Sequence, residues 1–311
     1  MRTNESKVKA KESLQSRMVK LGIRMVRHNN MWKKTGTALR TMIEHKQRKE
    51  SIEPPNKIIK KYNLLKQEIT GHPYYVISNK EKAGHKHVLY LHGGGYVLNV
   101  TSLHWGFIAE LVDSSDCTVT FPIYPLAPTY THIDVFEMLL PLYQQLLTTV
   151  SNEDIIVMGD SAGGGMSVAL AQLLKEKELP QPGNIILISP ALDMTFSNPE
   201  IKEVEKKDPI LATPSIKEIA EWYAGDQQVE HFLISPINGE LEGLGIISIF
   251  VGTHDIVYPD TRKFKDKLKE QNLPFNYYEY PKMLHVWPLF FFPESKAARN
   301  QIMDIINDCS S

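Results

Sequence analysis

From about Lys86 onward, short and nearly unbroken apolar runs alternate with longer stretches in which apolar residues recur every third or fourth position. A run of roughly four to eight apolar or β-branched residues between turn formers reads as a buried strand, and the three-to-four recurrence reads as helix. The pattern predicts strands at HVLYLH (87–92), CTVTFPI (117–123), DIIVMG (154–159), NIILIS (184–189), IISIFV (246–251) and FNYYEY (275–280). It predicts helices at about 103–114, 133–149, 162–178, 260–272 and 295–307, with PYYVIS (73–78) as an earlier antiparallel strand. This alternation indicates an α/β fold, a mostly parallel sheet covered by helices on both faces.

Two regions interrupt it. In the first, residues 1–60, Leu14, Met18, Leu21 and Met25 recur at helical spacing among Lys and Arg. Such a stripe needs a surface to bury against. The second, about 191–243, is too long for an ordinary connection, and PSIKEIAEWYAG within it has helical patterning. Both fit a helical cap over the carboxyl ends of the strands, where open α/β sheets bind ligands. The expected organisation is a basic helical segment at 1–60 that joins the cap, then an α/β domain at 61–311 carrying a cap insertion at 191–243. A solvated tail is the alternative for the front.

Composition adds one thing the pattern does not show. The chain has 311 residues and a net charge of −1, but residues 1–60 hold 16 Lys and Arg against 5 Asp and Glu, while the remainder holds 19 against 31. The front is a separate electrostatic unit, and its basic amphipathic character leaves a weak contact with anionic lipid open. An acidic main domain without a recognition motif argues against nucleic acid. The opening MRTNESKVKAKES has no apolar signal region, and no window approaches the roughly 18 apolar residues of a membrane span, so a cytoplasmic protein is expected. Two cysteines, Cys117 in a strand and Cys309 near the end, provide neither a disulfide framework nor the paired spacing of a zinc site.

Two glycine-rich motifs carry the candidate chemistry. In VMGDSAGGG, Gly159-Asp160-Ser161-Ala162-Gly163 follows an apolar strand and opens a helix. That context and spacing are those of a nucleophile elbow, in which small neighbours let a serine sit on a sharp strand-to-helix turn. A serine hydroxyl is a poor nucleophile at neutral pH, so a base must take its proton. In LHGGGY, at the end of another strand, Gly93, Gly94 and Gly95 leave backbone N–H groups free to face a developing oxyanion. A Walker loop would need Gly-Lys-Ser/Thr, which is absent, and the spacing is wrong for a dinucleotide fingerprint.

Taken together and in order, HGGGY, YPLAP, GDSAGG, SPALD, DPIL, SPINGELEGLG, GTHDIVYPD and YPKMLHVW resemble the hormone-sensitive-lipase-like family of α/β-hydrolase carboxylesterases, over roughly residues 70–310. The resemblance implies an α/β-hydrolase fold and hydrolysis of small to medium acyl esters without metal or organic cofactor. It implies Ser161 as nucleophile, Asp255 as acid and His285 as base, with the N–H groups of Gly94, Gly95 and Ala162 as oxyanion hole and His92 bracing the glycine loop. Asp160, beside the serine, is expected to tie the turn to neighbouring loops. Asp260 is a rival acid that reads better as a helix N-cap, and His254 reads as a loop residue. Where related sequences carry Y-R-L-A-P-E, this chain has Pro125 and Thr129, which changes the local ion pairing. An amidase or deacetylase using the same triad, and a non-catalytic receptor for a small ligand, remain alternatives.

Overall fold

A computed structural model describes residues 4–7, 12–26, 28–81, 84–115 and 117–308; Cys309 and much of the opening segment lie outside the described residues. The strands are β1 (Asn4–Lys7), β2 (Asn63–Ile69), β3 (His72–Ser78), β4 (Lys86–Leu91), β5 (Cys117–Pro122), β6 (Ile155–Asp160), β7 (Asn184–Ile188), β8 (Ile246–Gly252) and β9 (Phe275–Tyr280). They form one sheet in the order β1-β9-β8-β7-β6-β4-β5-β3-β2. β2 and β3 pair antiparallel, as do β3 and β5, and every other pairing is parallel. Every residue of β6 and β7 is buried. Strands covered on both faces have no solvent side to mark with polar residues, which is why they read as continuous apolar runs.

The helices are α1 (Leu14–Met25), α2 (Gly36–Lys49), α3 (Asn56–Lys61), α4 (Ser102–Ser114), α5 (His132–Leu147), α6 (Ala162–Glu176), α7 (Ile201–Glu205), α8 (Thr213–Ala224), α9 (Tyr258–Glu270) and α10 (Pro293–Asp308). α6 is buried from Ala162 to Leu174, because it lies against the middle of the sheet. α7 and α8 lie between β7 and β8, within residues 191–243. The front supplies α1 to α3, a 3₁₀ segment at His28–Lys33 that packs on α8, and β1.

β1 has no sequence signature. Its four residues, NESK, are polar, and it joins the sheet edge through its backbone and through Glu5, which faces Lys265 and Lys269 at 3.7 and 3.4 Å. A second departure concerns α1. The Leu14-Met18-Leu21-Met25 stripe, expected to bury, is exposed, and the buried residues of this helix are Ser16 and Lys20. Its inward face is held by polar bonds: Ser13 N–H and Oγ donate to the Glu294 carboxylate, and Lys20 Nζ donates to the Lys282 carbonyl at 3.0 Å.

Candidate active site

The chain leaves β4 for β5 on one side and later enters β6 on the other. This reversal opens a crevice at the carboxyl ends of the strands, and it brings the glycine loop after β4 beside the turn after β6.

Ser161 alone joins β6 to α6, at φ 53° and ψ −119°. A non-glycine residue in such a conformation costs about 1–3 kcal/mol, and the surroundings must hold it there. Ser161 N–H donates to the Ile188 carbonyl at 2.9 Å, and the Ser161 carbonyl accepts from Ala191 N–H at 2.9 Å and Gly165 N–H at 3.1 Å. A Cβ on Gly163 would overlap the Leu91 carbonyl, and one on Gly159 would overlap the Gly163 carbonyl. Glycine on both sides of the serine is therefore a steric requirement of the turn.

His285, in the loop after β9, reaches the serine from the far side. Its Nε2 lies 2.8 Å from Ser161 Oγ and its Nδ1 lies 2.9 Å from Asp255 Oδ1. A carboxylate only accepts, so Nδ1 carries the proton, and in the neutral ring Nε2 is free to accept from the serine hydroxyl. Burial alone would lower the imidazole pKa, but the Asp255 charge and hydrogen bond, reinforced by Asp208, outweigh it and leave the ring above its ordinary value. Asp255 Oδ1 also accepts Val257 N–H at 3.2 Å.

Asp208 is a site residue to which the sequence assigned no role, although its DPIL motif was visible. Oδ1 accepts the N–H groups of Ile210 (2.7 Å) and Leu211 (3.0 Å), and Oδ2 accepts that of Ile256 (3.0 Å). It thus fastens the insertion to the loop that carries Asp255. Burial and then the Asp255 charge push its carboxyl pKa up.

Asp160 ties the two glycine motifs together. Its Oδ1 accepts Tyr90 Oη–H at 2.7 Å and Gly93 N–H at 3.0 Å. Thr101 N–H donates to His104 Nδ1 at 3.0 Å, so the His104 proton sits on Nε2, which faces Asp160 Oδ2 at 3.4 Å. Burial works against the Asp160 charge, but His104 and these hydrogen bonds win and hold its carboxyl below the usual range.

With Gly93 N–H engaged, the next two amides are those of Gly94, at φ 123°, and Gly95, at φ 60°; both residues line the cavity above Ser161 together with Ala162, the first residue of α6. The first N–H groups of a helix have no intrahelical acceptor. His92 is fully buried, stacks on Tyr124, and donates from Nδ1 to the Gly93 carbonyl at 2.7 Å. Burial, then His104, lowers its pKa to about 3, so it stays neutral and braces the loop.

The rivals lie elsewhere. Asp260 bonds Asn198 Nδ2 at 2.9 Å, and its N-cap assignment is corrected: α9 begins two residues earlier, with Val257 as the cap and Pro259 in the first turn, so Asp260 falls inside the helix. His254 acts through its backbone, donating to the Met283 carbonyl at 3.0 Å.

The crevice is a cavity of about 360 Å³. Ile23, Met31 and Trp32 of the front line one wall, and Ile210, Leu211 and Ile216 of the insertion line another. Trp32 lies so close to Gly95 that a Cβ there would sit 3.0 Å from the indole ring. No motif pointed to Trp32, because its relevance comes from a contact across 63 residues of chain.

Residues 88–289 match the family described as alpha/beta hydrolase fold. An esterase of Acinetobacter venetianus is 28% identical over 221 residues, 70% of this chain and 73% of the relative. An acetyl-hydrolase of Streptomyces hygroscopicus is 29% identical over 214 residues, 68% of this chain and 72% of the relative. The crystal structure of EstE7, a hormone-sensitive-lipase homologue from a metagenome library, superimposes with a TM-score of 0.78 at 26% identity, covering 97% of this chain and all of that one.

Proposed function

Since the chain belongs to the alpha/beta hydrolase fold family and to its hormone-sensitive-lipase-like group of carboxylic ester hydrolases, we propose that it cleaves small to medium acyl esters with Ser161 as nucleophile, His285 as base and Asp255 as the acid. The observation that carries this reading is the continuous relay from Ser161 Oγ through His285 to Asp255, at 2.8 and 2.9 Å, at the floor of an apolar cavity.

His285 Nε2 takes the hydroxyl proton as Ser161 Oγ attacks the ester carbonyl, and Asp255 holds the ring and stabilises the imidazolium. The N–H groups of Gly94, Gly95 and Ala162 receive the oxyanion, where preorganised donors are worth most. His285 then returns the proton to the leaving alcohol, and water repeats the sequence on the acyl-enzyme. The cavity lies near the lower end of the roughly 300–1,000 Å³ usual for ligand sites, which favours short acyl groups. The name of the acetyl-hydrolase relative points the same way. Residues 1–60 and 191–243 act together as the cap, since each supplies a wall.

The test is hydrolysis of p-nitrophenyl esters from acetate to laurate by wild type and Ser161→Ala. The expected result is an optimum among the short chains and a loss of about 10⁶-fold in kcat in the variant. A folded Ser161→Ala protein as active as wild type would overturn the assignment.

A further inference from the structure

The helix α1 carries an apolar row on its outer side as well as Val19 and Ile23 packed inward against the core. Leu14, Met18, Leu21 and Met25, spaced by four, three and four, form one narrow stripe, and each is between 60% and 74% exposed. Ser16 and Lys20, on the opposite side, are buried and hydrogen-bonded. In water this orientation leaves the apolar row uncovered, while specific polar bonds to Lys282, Glu294 and, through Arg24 Nη2 at 2.9 Å, the Lys207 carbonyl fix the helix in place. The row is therefore presented outward by design of its contacts.

Charge identifies what would cover it. From Ser13 to Ile43 the chain has seven Lys and Arg and not one Asp or Glu, and although Arg17 and the buried Lys20 pair with Glu12 and Arg40 pairs with Glu44 at the two ends of this stretch, the balance stays basic. Arg17 and Arg24 flank the row and are exposed, as are Lys33 and Lys34 just beyond it. A second copy meeting the same face would set two basic surfaces against each other, whereas a basic helix with an apolar row suits an anionic bilayer, where Leu and Met enter the acyl boundary and Arg and Lys meet headgroups. Among the described residues no helix is long and apolar enough to cross a membrane. The same helix turns Ile23 inward to line the cavity, and Lys20 bonds the loop three residues before His285.

We propose that the Leu14-Met18-Leu21-Met25 face of α1 docks the protein on anionic lipid, with the site's short-acyl ester substrate drawn from those dissolved in the bilayer. The substrate part of this proposal rests on the esterase reading above. The docking part does not, and it is measured without turnover.

The experiment is sedimentation of the full chain with vesicles of phosphatidylcholine alone and of phosphatidylcholine mixed with phosphatidylglycerol, using Ser161→Ala and the double variant Met18→Ser/Leu21→Ser beside wild type. Wild type and Ser161→Ala are expected to pellet alike with the mixed vesicles, about tenfold more than with the neutral ones, and added salt should weaken the binding. The double variant should lose that binding about tenfold while hydrolysing water-soluble p-nitrophenyl acetate as wild type does, since neither residue lines the cavity. Equal pelleting with both vesicle types, or binding unchanged in the double variant, would overturn the proposal. A wild-type dimer in the ultracentrifuge that the double variant converts to monomer would overturn it too, and would assign the row to a second copy. Failure of Ser161→Ala to abolish hydrolysis would strike the esterase reading alone.

Discussion

Replacing Asp160 with alanine separates a residue that holds the glycine loop, the proposed oxyanion site, from one that merely adjoins the serine. The carboxylate is buried, and a single oxygen receives both Tyr90 Oη–H at 2.7 Å and Gly93 N–H at 3.0 Å. Alanine leaves both donors buried without an acceptor, at about 1–3 kcal/mol each, or about 2–6 kcal/mol in all. A shift of that size should lower the melting temperature by at least about 3 °C. Gly93 directly precedes Gly94, so releasing it lets the loop move, and mislaying one oxyanion donor costs about 10²–10³-fold in kcat. KM should change less than kcat, because the apolar walls from the front and the insertion, Trp32, Ile210 and Leu211 among them, do not depend on Asp160. Asp160→Asn is the intermediate case: it keeps an oxygen for Tyr90 and Gly93 but turns an amide donor toward the Nε2–H of His104. The assay is kcat and KM for p-nitrophenyl butyrate together with thermal denaturation. An Asp160→Ala protein with wild-type kcat, or with its whole loss in KM and an unchanged melting temperature, would refute the reasoning.

Two further expectations follow from the same geometry. Because Asp255 and Asp208 raise His285 despite its burial, the ring stays protonated to higher pH than an ordinary imidazole, so the acid limb of kcat/KM should have its midpoint above 6.5; Asp255→Asn should move that midpoint down and reduce kcat by about 10⁴-fold, read from pH–rate profiles of the two proteins. Leu211→Trp should fill part of the cavity and shift the optimum of the p-nitrophenyl ester series to shorter acyl chains, each excluded methylene being worth about 1–3 kcal/mol; an unchanged chain-length profile would show that the acyl group lies elsewhere.

The strands β6 and β7 were legible because burial on both faces demands continuous apolar runs, and β5 and β9 because their residues are largely β-branched or aromatic; no tertiary knowledge is needed to see them. The turn at Ser161 was legible for a related reason: only glycine avoids the Leu91 and Gly163 carbonyls, so the steric need is written into the residues themselves. Asp255 and His285 were reached through the resemblance of GTHD and KMLHVW to a known family, since no local rule marks one aspartate or histidine among many. What the chain could not disclose locally are contacts between distant segments. Asp208 looks like any Asp before a proline until its oxygens are seen to join Ile210 and Leu211 to Ile256, and Trp32 looks like a core residue until it is seen against Gly95. The clearest case is α1. Periodicity establishes that a row of a helix is apolar, but which side turns inward depends on what it meets, and here Glu294 and the Lys282 and Lys207 carbonyls bind the side that also carries Val19 and Ile23 and leave the Leu14-Met18-Leu21-Met25 row to the outside.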